Sequence, residues 1–242
     1  MASTFYDPGD QRSAKVNALF RRIARRYDLI NDLQSVGLHR FWKRRVVELA
    51  ALQPGQRVLD LCCGTGDIAL AIAQPKTEVV GLDFTSEMLN VAEGRARATA
   101  KVADQRIQFV CADAQKIPFA DDTFDAVTVG YGLRNLADWK LGLIEMQRVA
   151  KPRGRLLVLE FGKPANPCWR AVYLAYLRLF VPLFGLIFCG NAGAYSYILE
   201  SLKHYPSQNE VAATLRNLGL ENVKIHNLLG GAMSIHYAQK PG

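Results

Sequence analysis

The run Arg57-Val58-Leu59-Asp60-Leu61-Cys62-Cys63-Gly64-Thr65-Gly66-Asp67-Ile68-Ala69 changes the period of the chain. Arg57 to Cys62 is a short apolar run of the kind found in strands buried on both faces. The glycines that follow make a tight turn and open a helix over Asp67 to Gln74. A second apolar run, Glu78 to Phe84, completes a β-α-β unit. Gly64 and Gly66 let the backbone approach a ligand that a β-carbon would exclude, and Asp83, ending the second run, can accept hydrogen bonds from ribose hydroxyls.

The alternation continues outward. Ser86 to Ala100 reads as a helix, Ile107 to Cys111 and Phe124 to Val129 as strands, Trp139 to Ala150 as a helix, and Arg155 to Phe161 as a strand after a Pro152-Gly154 turn. The pattern predicts an α/β fold with a doubly wound, mostly parallel sheet. Upstream, Val16, Leu19, Phe20, Ile23 and Tyr27 recur at helical spacing within one helix from Ser13 to Leu33, and a second helix spans His39 to Leu52. Downstream, a long apolar helical stretch from Cys168 to Leu202 precedes a polar helix, Ser207 to Leu218. Two strands, Val223 to Leu228 and Ser234 to Gln239, are joined through Gly230-Gly231. The expected organisation is one domain: a helical arm (1–53), a cofactor-binding core (54–164), a helical lid (165–206) and a C-terminal helix and hairpin (207–242).

The chain has 242 residues, 50% hydrophobic, which suits one substantial core, and its net charge of +8 favours an anionic partner surface. Ten basic residues lie from Arg12 to Arg45, opposed by Asp28 and Asp32, and make the arm a basic face. The five cysteines include no CxxC pair and have no histidine at metal-ligand spacing, so neither a disulfide framework nor a metal is expected. The opening MASTFYDPGDQRSAK has no apolar signal core, which points to a cytoplasmic setting. Trp169 to Phe188 approaches the roughly 20 residues of a membrane span. Arg170, Arg178 and Pro182 interrupt it, and a charge at the bilayer centre costs about 2.5 to 3.5 kcal/mol, so a buried or interfacial helix is expected instead.

The glycine turn and Asp83 are shared with dinucleotide enzymes. Three features favour S-adenosylmethionine: Asp60, placed to meet an amino-acid ammonium; Asp113-Ala114, able to edge an adenine; and FDAVTVGYGLRN, closing the fourth strand at the same rim. Together these strand ends resemble the class I S-adenosylmethionine-dependent methyltransferase fold, whose sheet has seven strands. Two further stretches, FRRIARRYDLINDLQSVGLHRFWKRR (Phe20 to Arg45) and GYGLRNLADWKLGLIEMQRVAKPRGRLLVLEFGKP (Gly130 to Pro164), are similar to the ubiquinone and menaquinone C-methyltransferase family of the UbiE and MenG type. The resemblance implies methyl transfer to a ring carbon of a prenylated quinol, demethylmenaquinol foremost, with Thr65, Asp83, Asp113 and Ala114 on the cofactor. Family members often carry Ser where this chain has Gly130, leaving only backbone there. The GYGLRN form and the Cys62-Cys63 pair also resemble the phylloquinone branch.

Carbon methylation of a quinol needs its hydroxyl moved towards phenolate, and Arg134, just past the fourth strand, is the candidate to stabilise that charge. Tyr27, Asp28, Asn31, His39 and Arg40 are candidates to close the pocket, with Asp28, His39 or a water as base. The apolar lid and basic arm suggest peripheral contact with the inner face of an anionic membrane. A homodimer is compatible with the sequence, and no nucleic-acid partner is expected. The alternatives are a natural-product methyltransferase, a nucleic-acid methyltransferase and a non-catalytic cofactor-binding subunit.

Overall fold

A computed structural model describes residues 11–73, 77–98, 106–189 and 193–242. The opening ten residues, the expected helix ends at Gln74 and Ala100, and the side chains of Arg25 and Cys189 lie outside the described residues.

Seven strands form one sheet: β1 (Arg57–Leu61), β2 (Glu78–Asp83), β3 (Arg106–Cys111), β4 (Phe124–Gly130), β5 (Ala150–Phe161), β6 (Glu221–Leu228) and β7 (Met233–Gln239). Their spatial order is β3-β2-β1-β4-β5-β7-β6, with β1 to β5 paired in parallel and β7 antiparallel to both of its neighbours, β5 and β6. This is the expected doubly wound sheet. The order reverses between β1 and β4, which opens a crevice at their carboxyl ends. Successive β1 residues alternate between two cores: Val58 packs with Ile68 and Ile72, and Leu59 with Phe124, Met146 and Leu156. Burial on both faces is why the central strands read as unbroken apolar runs.

The helices are α1 (Arg12–Ile23), α2 (Tyr27–Ser35), α3 (Leu38–Ala50), α4 (Asp67–Ile72), α5 (Ser86–Ala98), α6 (Trp139–Val149), α7 (Pro167–Cys189), α8 (Gly193–His204) and α9 (Gln208–Asn217). The single N-terminal helix expected from Ser13 to Leu33 is broken by a 3-10 turn at Ala24–Arg26. On one side of the turn α1 packs on α5; on the other α2 packs on α7. Apolar spacing continues across the break, so periodicity conceals it. Likewise the apolar stretch Cys168 to Leu202 forms two packed helices, α7 and α8.

Leu19 and Ile23 of α1, Ile30 of α2 and Leu177 and Tyr197 of α7 and α8 share one hydrophobic cluster, so arm and lid are packed on each other. The Tyr176 hydroxyl donates to the Gln34 carbonyl at 2.6 Å and ties α7 to α2. Among the described residues no helix is long and apolar enough to cross a membrane. The expected Pro152-Gly154 turn lies within β5, beside a register shift opposite Phe124 and Ala126, with Arg153 at φ 60°. A β-carbon at Gly154 would sit 2.7 Å from the Lys151 carbonyl, which makes the glycine necessary.

Candidate active site

The turn after β1 places Gly64 at φ 56° and Gly66 at φ 83°, both left-handed. Asp83 locks this turn to β2: one carboxylate oxygen accepts from the Gly64 amide at 2.9 Å, the other from Thr85 at 2.8 Å. Burial pushes the Asp83 carboxyl above its ordinary value against the pull of these amides. Above the turn lies a cleft of about 80 Å³ bordered by Gly64, Asp83, Met88, Asp113, Ala114 and Gly130. Ser13, Val16, Asn17 and Phe20 of α1 also line it, so the N-terminal helix covers the cleft. Asp113 is fixed by the Gln115 amide at 2.8 Å.

The lining tests which cofactor fits. Two carboxylates, Asp83 and Asp113, border the cleft, and no Lys or Arg does among the described residues. A pyrophosphate would find no cation there. A cationic nucleoside suits this donor set, because each Asp83 oxygen accepts one amide and retains capacity for a ribose hydroxyl.

Three expected cofactor residues sit outside this lining; Gly66 faces the packing of α5 and β3, where a β-carbon would lie 3.1 Å from Ala92 Cβ. Asp60 and Thr65 border a small adjoining chamber of about 20 Å³ with Lys43, Asp67 and Gly130. Asp60 is buried, accepting from Thr128 Oγ1 at 2.7 Å and the Ala69 amide at 3.0 Å, so it pins the start of α4 to the sheet. Thr65 Oγ1 donates to Asp28 at 2.6 Å. Lys43, also buried, meets Asp67 at 2.6 Å. The two glycines of GYGLRN differ. A β-carbon at Gly132 would lie 2.3 Å from Cys62 Cβ, whereas one at Gly130 would meet only the tip of Ile68 at 2.6 Å. Side-chain movement can therefore admit a serine at 130 but not a side chain at 132.

Beyond a wall made by Tyr27 and Tyr131 lies a larger cavity of about 300 Å³, and these are the only residues that it shares with the cofactor cleft among those described. Its lining is mostly apolar and comes from α2, α3, α7, α8 and the end of β5. Tyr131 holds a left-handed backbone at φ 61°, and its position in the wall was not foreseen from sequence. Arg134 also lines this cavity, but not as a lone cation. It donates to Glu160 Oε1 at 2.7 Å and the Tyr131 carbonyl at 2.6 Å, and lies 4.7 Å from the Phe161 ring centre. Burial works against the guanidinium charge, and Glu160 outweighs it, so Arg134 stays protonated. Glu160 was missed because it reads as one polar residue inside a buried strand.

Burial pushes the phenols of Tyr27, Tyr131 and Tyr173 above their ordinary value, so at neutral pH they are donors rather than bases. The hydroxyls of Tyr131 and Tyr173, His39 Nδ1 and Gln34 Nε2 are buried without a partner in the wall of this one cavity. Such groups are costly unless a ligand satisfies them. His39 Nε2 lies 2.9 Å from Asp32 Oδ1. Asp28, by contrast, is engaged by Thr65 and by Arg95 at 3.0 Å, and the structure does not bring it to the cavity. Arg40 borders neither cavity; its side chain binds Asp32.

A family model described as the ubiE/COQ5 methyltransferase family matches residues 9–240. The chain is 44% identical to the ubiquinone/menaquinone biosynthesis C-methyltransferase UbiE of Ectopseudomonas mendocina (strain ymp), over 97% of this chain and 92% of that one. Identity to the protein of the same description from Azotobacter vinelandii is 41%, over 97% and 93%. Among solved structures, a SAM-dependent methyltransferase from Aquifex aeolicus superposes with a TM-score of 0.59 at 21% identity, covering 88% of this chain and 97% of that one. That likeness bears on the fold, which is the class I methyltransferase fold. With near-complete coverage on both sides and a cleft chemistry that agrees, the chain belongs to the ubiE/COQ5 methyltransferase family.

Proposed function

We propose that this protein methylates a ring carbon of a prenylated quinol of the ubiquinone and menaquinone type, demethylmenaquinol foremost, with S-adenosylmethionine as methyl donor. The observation that carries the reading is the two-tyrosine wall: a cleft suited to a cationic nucleoside and an apolar cavity suited to a prenylated ring share, among the described residues, only Tyr27 and Tyr131. The bound donor supplies an electrophilic methyl group. Asp83, Asp113 and Ala114 would hold its nucleoside part, and Gly64 and Gly130 its approach to the backbone. On the acceptor side, the unpartnered hydroxyls of Tyr131 and Tyr173 are donors for the quinol oxygens, and Arg134 stabilises developing phenolate charge, moderated by Glu160. The apolar lining keeps water from both partners and strengthens these interactions.

Val36, Leu38, Val172 and Leu229 line the cavity yet are exposed, Val36 to 86%, and so form an apolar mouth. Arg170 and Arg178 are exposed on α7 near by in sequence. A prenyl chain leaving such a mouth gains roughly 0.8 kcal/mol per methylene by staying in an apolar medium, which favours peripheral contact with anionic lipid. Co-sedimentation with vesicles containing phosphatidylglycerol, weakened by Leu179→Glu with Phe180→Glu, is the expected result; equal binding by the variant removes the lipid contact from the proposal.

The direct test is label transfer from methyl-tritiated S-adenosylmethionine into chemically reduced demethylmenaquinone, with a methoxy-benzoquinol, a phytyl-naphthoquinol and a tRNA pool in parallel. Label in a prenylated quinol supports the proposal and identifies the ring. Label in tRNA alone, or in none of the acceptors by a protein that binds the donor, overturns it.

A further inference from the structure

We infer that His39, oriented by Asp32, is the general base that takes the hydroxyl proton of the acceptor. The inference rests on the quinol reading above. His39 is buried in the wall of the acceptor cavity and held at both ends. Its amide donates to Ser35 Oγ at 3.1 Å, and its Nε2 meets Asp32 Oδ1 at 2.9 Å. A carboxylate at Nε2 places the ring hydrogen there, which leaves Nδ1 as a bare acceptor. Nδ1 is also one of the buried atoms without a partner.

The other titratable groups around this cavity are unsuited to the task. The tyrosines are held protonated by burial, Arg134 is committed to Glu160 and remains a cation, and Glu160 accepts from Arg134 and from the Phe161 amide. Burial lowers the His39 imidazole below its ordinary value, with Lys43 acting in the same direction, so it is neutral and able to accept at physiological pH. The charged groups bearing on it are Asp32 from α2, Lys43 from its own helix and Asp67 from α4. Asp32 is anchored by the Arg40 guanidinium, whose Nε donates to Oδ1 at 2.8 Å. Asp32 is thus a positioning residue, fixing the tautomer and stabilising the imidazolium once formed.

The protons balance. The quinol O–H bond breaks as Nδ1–H forms, and the resulting phenolate directs its ring electrons to form the new carbon–carbon bond while the methyl–sulfur bond breaks. His39 then returns its proton to the ring oxygen as the ring C–H proton leaves to solvent and aromaticity is restored. One proton is released for each methyl transferred.

The test uses the full chain with a quinol that the wild-type protein methylates. His39→Ala is expected to lower kcat by about 10²- to 10⁴-fold, the usual share of a general base, with the Kd for S-adenosylhomocysteine unchanged and partial recovery on adding imidazole. His39→Gln, which keeps the hydrogen-bonding volume, is expected to lose kcat without rescue and to lose the acid limb of the pH–kcat profile. Asp32→Asn is expected to move that limb to lower pH while KM for the donor stays constant. A His39→Gln protein that binds S-adenosylhomocysteine normally and keeps kcat within threefold, with its acid limb intact, overturns the base assignment and leaves the quinol reading standing. An unmoved limb in Asp32→Asn removes Asp32 from the assignment. No quinol methylated by the wild type overturns the reading itself.

Discussion

Arg134, proposed above to stabilise phenolate charge, also bears on stability. It and Glu160 are both almost fully buried, 2.7 Å apart. Breaking such a pair by removing one member leaves an uncompensated charge and costs about 3 to 5 kcal/mol, whereas replacing both by apolar groups is often neutral. Arg134→Met alone is therefore expected to unfold at markedly lower denaturant concentration, and Arg134→Met with Glu160→Leu to recover the midpoint without recovering methyl transfer. Urea titration alongside label transfer separates the two roles. If the double variant regains transfer, the guanidinium has no electrostatic part in the reaction.

Asp60 makes a second prediction at this scale. Burial raises its carboxyl to about 7 despite the bonds from Thr128 and the Ala69 amide. A folded-state value above the unfolded one, near 4, means that the native protein holds a proton which the unfolded chain releases. The group therefore costs stability progressively as pH rises from about 4 to about 7, and in full above that. Asn at position 60 can accept from Ala69 and donate to Thr128 Oγ1. Asp60→Asn is expected to flatten the fall in unfolding free energy between pH 5 and pH 7.5, measured by urea titration; an unchanged slope places the linkage in another group.

At the scale of elements, α1 is the part whose position matters most to exchange of the cofactor. It covers the cleft, and besides its packing through Leu19 and Ile23 it is tied by polar contacts: the Arg12 Nη1 donates to the carbonyls of Leu136 and Ala137 at 2.8 and 3.1 Å, and Arg21 meets Glu87 at 2.7 Å. The second pair is exposed and adds little. Arg12→Ala, which strips the Leu136 and Ala137 carbonyls of a charged donor, is expected to speed S-adenosylhomocysteine release by about tenfold, one such hydrogen bond being worth roughly 1.5 kcal/mol. Stopped-flow displacement measures it, and an unchanged off-rate means that α1 does not gate the cleft.

The same element explains what sequence reading could and could not reach. The strands and the glycine turn were legible because buried parallel strands and a positive-φ turn each demand particular residue types locally. The ends of β2, β3 and β4 bring Asp83, Asp113, Ala114 and Gly130 to the border of one cleft. The break at Ala24–Arg26 left no trace, since both halves present apolar residues at the same spacing to different partners. Asp32, Tyr131 and Glu160 were hidden for a related reason: their meaning comes from the groups the fold sets beside them, His39 and Arg40 for Asp32 and Arg134 for Glu160, and Asp32 reads in sequence only as charge relief on a basic helix.

Across the whole molecule, the doubly wound sheet supports two chambers with different solvents in view. The cleft is roofed by α1 at the sheet's carboxyl edge, and the larger cavity ends in the apolar rim of Val36, Leu38, Val172 and Leu229. A partition formed by Tyr27 and Tyr131 has a kinetic corollary. On the proposed function each ligand takes its own side of the wall, so neither must leave before the other can exchange. S-adenosylhomocysteine is accordingly expected to compete with the methyl donor and to inhibit noncompetitively against the quinol in initial-rate measurements, whereas competition against both would mean a common entrance. Under the proposed function, the spent nucleoside would return to water while the ring remains seated, and the protein would recharge without surrendering its hold on a hydrophobic acceptor.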